Sequence, residues 1–177
     1  TVEAPPGRYL LSAELWNPSG RWGARVRHGV AAEAVPPDVP TLSDLLLLAR
    51  GEGLPEGLRE ALPLALSGTI LSPGQPLTVA WEVYGLNLRG EALTFELSLG
   101  GEEGRFVRRT LNRIGLFRKD PALTLSWEEE GPRTLGPYFR AIDVDLPPLN
   151  PGRYELRLEM RIPNRNAVVA TRAISVS

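Results

Sequence analysis

Pro76-Leu77-Thr78-Val79-Ala80-Trp81-Glu82-Val83-Tyr84 is written in a period of two. Along an extended chain, Leu77, Val79, Trp81 and Val83 point one way and Thr78, Ala80, Glu82 and Tyr84 the other. A strand with an unbroken apolar face needs a second apolar layer over it, so this stretch belongs to a packed sheet. Trp81 brings a large indole to fill the space between two layers.

The same alternation recurs on the C-terminal side. Leu93, Phe95, Leu97 and Leu99 share one face of their segment, Leu123, Leu125 and Trp127 another, and Ile142, Val144 and Leu146 a third. Tyr154, Leu156, Leu158, Met160 and Ile162 form the longest set. Residues 167–176 read as a last strand and residues 69–71 as a short first one. Residues 106–111 make a weaker edge candidate, crowded by Arg105, Arg108 and Arg109. Seventeen prolines and eighteen glycines punctuate the chain between such segments. Seven or eight short strands in about 110 residues suit an all-β, immunoglobulin-like sandwich.

Leu149-Asn150-Pro151-Gly152-Arg153-Tyr154 precedes the penultimate strand. A tyrosine placed just after a tight turn can donate a hydrogen bond to the backbone upstream and lock the crossover between sheets. With Trp81 in an early strand, the combination resembles fibronectin type III domains over most of residues 67–177.

Working outward to the N-terminus, Pro6-Gly7-Arg8-Tyr9 repeats Pro151-Gly152-Arg153-Tyr154. Residues 8–30 therefore read as the closing hairpin of a second sandwich whose earlier strands are not in this sequence. The expected register sets Leu15 against Trp22, Ala13 against Ala24, Leu11 against Val26 and Tyr9 against His28, around a turn at Asn17-Pro18-Ser19-Gly20. Residues 1–66 then form a hairpin plus connector, and residues 67–177 the sandwich. Within the connector, residues 34–40 are proline-rich and extended. Residues 45–48 read as a strand joining the hairpin's sheet, although Ser43 offers a helix cap as the alternative. Residues 55–62 hold one or two helical turns with Glu56 near their start.

Composition excludes more than it proposes. A formal net charge of −1 supplies no field to gather nucleic acid or anionic lipid. Cysteine is absent, so disulfides, thiolate nucleophiles and Cys-based metal sites are ruled out. His28 is the single histidine, which removes a His–His metal pair within one chain. No run of about eighteen apolar residues marks a membrane span. Lys119 is the one lysine among twenty basic residues, a bias of coding composition rather than a sign of heat stability. The start at Thr1 reads as a processed or trimmed end.

Candidate sites are few. Asp143 and Asp145 stand two apart on a strand, a spacing that contributes oxygen ligands to a Ca²⁺ site but too few to complete one. Glu128-Glu129-Glu130 reads as a charged strand end. His28 lacks any nucleophile signature around it and reads as half-buried beside Tyr9. Gly100-Gly101-Glu102-Glu103-Gly104 is a turn without the lysine and helix of a phosphate loop. The informative surface is the apolar face of the hairpin, Tyr9, Leu11, Leu15, Trp22 and Val26. Trp22 is expected in a core and Trp16 exposed, where an indole can stack on a sugar.

Taken in order, the corner hairpin, Ser43-Asp44-Leu45-Leu46-Leu47, Pro73-Gly74-Gln75-Pro76-Leu77, Trp81-Glu82-Val83-Tyr84-Gly85-Leu86, Asp143-Val144-Asp145-Leu146 and Pro151-Gly152-Arg153-Tyr154 resemble the C-terminal β-rich region of bacterial GWxTD-domain proteins. The Gly-Trp-x-Thr-Asp motif itself is absent. The resemblance implies an exported bacterial β-sandwich region and carries over no catalytic residue. The expected function is a non-enzymatic structural or protein-interaction module, without cofactor or metal, at an extracytoplasmic location. Its partners are further copies of itself or adjacent domains of a longer parent chain. A carbohydrate-binding accessory domain of a larger exported enzyme is the alternative.

Overall fold

The computed structural model describes residues 4–17, 19–34, 36, 38–101 and 122–177. The chain divides into two compact units, residues 1–36 and 37–177.

The first unit is a hairpin of β1 (Gly7–Trp16) and β2 (Gly23–Ala32), paired antiparallel over ten residue pairs. The Asn17 side chain sets its turn. Asn17 Oδ1 accepts from the Ser19 N–H at 2.9 Å, and the Gly20 N–H donates to the Asn17 carbonyl at 2.8 Å. Gly20 takes φ +69°, which a side chain would resist. Trp16 then opposes Gly23, Leu15 opposes Ala24, Ala13 opposes Val26, Leu11 opposes His28 and Tyr9 opposes Val30. The register differs by two residues from the one the sequence suggests, because the turn closes on Asn17 and not on Trp16. A shift of two leaves every side chain on its expected face.

The second unit is a β-sandwich. Its first sheet runs in the order β5 (Ile70–Leu71), β11 (Val168–Val176), β10 (Gly152–Arg161), β7 (Ala92–Gly101), β8 (Leu123–Glu130). Its second sheet is built on β6 (Pro76–Tyr84), with β9 (Tyr138–Asp145) along one edge. β3 (Thr41–Leu42) and β4 (Leu46–Ala49) pair with the other edge of β6. β5 pairs parallel to β11, and every other strand pairing is antiparallel. This is an immunoglobulin-like strand order, as the spacing of the segments suggests.

The alternating sets form the core. Leu77, Val79, Trp81 and Val83 from β6 meet Leu93, Phe95, Leu97 and Leu99 from β7 and Leu156, Leu158 and Met160 from β10. Trp81, Phe95 and Trp127 form one aromatic cluster, with Phe95 and Trp127 stacked at 5.4 Å. Thr78 and Ala80 are buried as well, so β6 has both faces covered. Behind it, Leu48, Ala61 and Ala80 make a second small core. A short helix α1 (Leu58–Ala61) and a 3₁₀ turn (Leu62–Leu64) contribute to that layer. The Glu60 carboxylate accepts from the Glu56 N–H at 2.9 Å and holds the start of α1.

The connector is the main correction. The leucines at 45–48 do form a strand, but β4 pairs with β6 and not with the hairpin. Leu45, Leu47 and Leu48 are all buried, so the segment needs cover on both sides, and pairing with β6 sets Leu45 and Leu47 in the sandwich core and Leu48 in the small core with Ala61 and Ala80. Residues 37–66 consequently belong with the sandwich, and the division falls at 36 in place of 66. The edge strand read at 106–111 and most of the Gly100–Gly104 turn lie outside the described residues.

Candidate functional site

The corner motif works identically in both units. The Tyr154 hydroxyl donates to the Asn150 carbonyl at 2.8 Å, and the Tyr9 hydroxyl donates to the Pro5 carbonyl, each four residues back. In both cases the bond ties the incoming chain to the start of a ten-residue strand, β10 or β1.

Pairing sorts the hairpin's side chains into two faces. Tyr9, Leu11, Ala13 and Leu15 share one face with Ala24, Val26, His28 and Val30. Trp22 continues that face, since its carbonyl accepts from the Asn17 N–H across the turn. The other face carries Arg8, Leu10, Ser12, Glu14 and Trp16, opposite Ala31, Gly29, Arg27, Arg25 and Gly23. Glu14 and Arg25 pair there at 2.7 Å. The Trp16 ring lies against Gly23, where an added Cβ would sit 3.0 Å from it.

The apolar face is open. Leu11 is 53% exposed, Leu15 62%, Val26 68% and Trp22 55%. Two expectations change here. Trp22 is exposed rather than part of a core, and His28 is exposed opposite Leu11 rather than half-buried beside Tyr9. The new place of His28 follows from the two-residue shift in register. Trp16 is 72% exposed, as expected, but on the opposite face from Leu11 and Leu15. Leu10 and Val30 are further exposed apolar residues that sequence reading passed over, and the register of β1 against β2 is the signal that places them.

The other candidates resolve into structural roles. Arg50 reaches both strand aspartates, donating to Asp145 at 2.7 Å and lying 3.6 Å from Asp143, while Thr78 donates to Asp143. A guanidinium and a hydroxyl thus occupy the carboxylates that the spacing offered to Ca²⁺. No group of three metal-ligating side chains occurs among the described residues. Glu129 pairs with Arg140 and Glu130 with Arg133. Arg140 also lies over the Tyr138 ring at 5.3 Å.

A shallow apolar groove of about 200 Å³ is lined by Leu46, Leu58, Leu62, Ala80 and Phe139, together with Ser43, Asp44 and Glu82. Ser43 and Glu82 are engaged in holding the fold. The Ser43 hydroxyl donates to the Asp44 carbonyl and accepts from the Glu82 N–H at 2.9 Å. The Tyr84 hydroxyl donates to Glu82, and burial together with that carboxylate pushes its pKa up to about 12. No helix among the described residues is long and apolar enough to cross a membrane.

No protein-family model matches the chain, and no curated protein does. Among solved structures, the PmoD soluble domain from Methylocystis sp. ATCC 49242 (Rockwell) is similar at 11% identity. The match covers 62% of this chain and 78% of that one with a TM-score of 0.35, too slight a likeness to carry an argument.

Proposed function

We propose that the protein is a non-enzymatic structural or protein-interaction module of an exported bacterial protein, working through the apolar face of β1 and β2. One observation carries this. Leu11 and Leu15 stand open on a well-paired sheet beside exposed Val26 and Trp22, while the matching residues of β10, Leu156 and Met160, are core. Each large apolar side chain left in water forgoes roughly 1.5–3 kcal/mol, so the face is worth covering. The exported setting rests on the resemblance to GWxTD-domain proteins. Strand exchange between copies is the self-assembling form of this reading, and light scattering over a concentration series shows it as a rising mass.

The test is a hydrophobic dye, 1-anilinonaphthalene-8-sulfonate, titrated onto the chain. Dye binding that Leu11→Asp and Leu15→Asp abolish is the expected result. A chain that binds no dye, or binds it equally after both substitutions, overturns the proposal.

A second reading, carbohydrate binding, has one observation in its favour: the exposed Trp16 ring beside Gly23 on the opposite face. A glycan array compared with Trp16→Ala decides it, and unchanged binding ends it.

A further inference from the structure

The hairpin and the C-terminal pair of strands are one motif, offset by 145 residues through the first strand and the start of the turn and by 144 in the second strand, where Leu11 opposite His28 corresponds to Leu156 opposite Arg172. Beyond Pro-Gly-Arg-Tyr, the offset of 145 matches Leu11 to Leu156, Glu14 to Glu159 and Pro18 to Pro163. The turns agree as well, since Gly20 donates to Asn17 and Arg165 donates to Ile162, each across three residues. The molecule therefore contains a covered version of its own uncovered hairpin, and the covered version shows what kind of partner fits.

Three features of β10–β11 define that partner. β7 pairs antiparallel with β10 over eight residue pairs, from Tyr154 opposite Gly101 to Arg161 opposite Thr94. β5 touches β11 over two pairs only. The inward side chains of β7 are Leu93, Phe95, Leu97 and Leu99, all fully buried. Among the described residues, β1 and β2 pair with nothing but each other. The edge of β1 is thus the counterpart of the edge that β7 occupies.

We infer that β1 accepts an added antiparallel β-strand from a β-sheet partner, paired along Tyr9 to Trp16 and carrying bulky apolar residues at alternate positions. The inference rests on the reading that the hairpin face is an interaction surface. Bulky side chains fit because Ala13 stands where β10 has Leu158 and Ala24 where β11 has Val168, a loss that Val26 offsets in part where β11 has Ala170. β7 itself shows the alternation, with Glu96 on the side opposite Phe95 and Leu97.

A second copy of the hairpin is the poorer occupant. Each strand is ten residues long, so a two-stranded face spans about 33 Å by 10 Å, or roughly 330 Å². A stable interface takes roughly 800 Å² from each partner. Strand addition makes up the deficit with backbone hydrogen bonds along the free edge.

The experiment titrates the full-length, ¹⁵N-labelled chain with a synthetic peptide of the sequence of residues 92–101, the strand that fills the equivalent place. Amide shifts and slowed hydrogen exchange confined to β1, absent with a scrambled peptide and weakened at least tenfold by Leu11→Thr, are expected. Threonine keeps strand propensity, so the hairpin itself survives that substitution. No shift at millimolar peptide, shifts confined to the sandwich, or hairpin-mediated dimers that exclude the peptide would each overturn strand addition. Dye bound to the face while the peptide is refused removes this inference alone. Absence of both removes the underlying reading as well.

Discussion

Residues 7–32 and residues 152–176 fold into the same hairpin, but only the second lies in a core. Leu11 and Leu156 are the same residue at the same place in the motif, one more than half exposed and the other 1% exposed. Leu15 and Met160 differ in the same way. Local geometry does not register the difference. Both hairpins keep their ten-residue first strand, their corner tyrosine and a turn closed across three residues. Alternation, a corner and a turn thus set the shape of a hairpin. Its burial depends on strands brought from elsewhere in the chain.

The largest test of that contrast is truncation of the paired leucines. Leu156→Ala is expected to cost about 2–5 kcal/mol in urea unfolding of the sandwich, through lost burial and the cavity left behind. Leu11→Ala is expected to change that unfolding by less than about 0.5 kcal/mol, as exposed positions do. A cost above about 1 kcal/mol at Leu11 would show the face to be covered, and the comparison would break.

Backbone positions sharpen it next. Gly85 has φ +67°, and a Cβ there would lie 2.1 Å from the Val39 carbonyl oxygen. Gly85→Ala is therefore expected to lower sandwich stability by about 2 kcal/mol or more in thermal melts, since the contact is with backbone and cannot yield. Gly20 has φ +69° with open space around it. Gly20→Ala should cost about 1 kcal/mol, felt only as faster amide exchange in β1 and β2.

The corner tyrosines come third. Tyr154→Phe is expected to cost about 1 kcal/mol, read as a lower denaturation midpoint. Tyr9→Phe should leave that midpoint unchanged and speed amide exchange near residues 5–9. Equal effects on the midpoint would mean that the two hairpins share one core.

The smallest effect is on acid stability. Burial pushes the Glu159 carboxyl up, but hydrogen bonds from Arg157 and Arg161 outweigh it and hold the group below the usual carboxylate range. A group whose folded pKa is depressed stabilises the fold at pH above its unfolded value of about 4.3. That contribution is lost as pH falls through the lowered value. Glu159→Gln should flatten this acid limb in pH-dependent melts.

Much of the sandwich was legible from residue order. The alternating sets at 77–83, 93–99 and 154–162 became core strands because period two fixes which side chains share a face. The Tyr154 corner was legible for the same kind of reason, as its donor and acceptor lie four residues apart. The hairpin's faces were legible too, although its register was not. The Asn17 side chain competes for the turn, and an even shift leaves no trace in the face pattern. The destination of β4 was not legible. Four leucines in a row specify burial but name no neighbour, and either sheet could have taken them. The role of Asp143 and Asp145 turned on Arg50, ninety-five residues from Asp145 in sequence.

By itself, then, the sequence determined the strands, their inward faces, the corner bonds and the kinship of the two hairpins, because each depends on residues within a few positions of one another. Tertiary structure alone decided that residues 37–66 complete the sandwich and that the face of Leu11, Leu15 and Val26 stays open. The physical reason is that burial is non-directional. An apolar stripe demands cover, and only the competition among all the strands of the chain determines which stripe receives it.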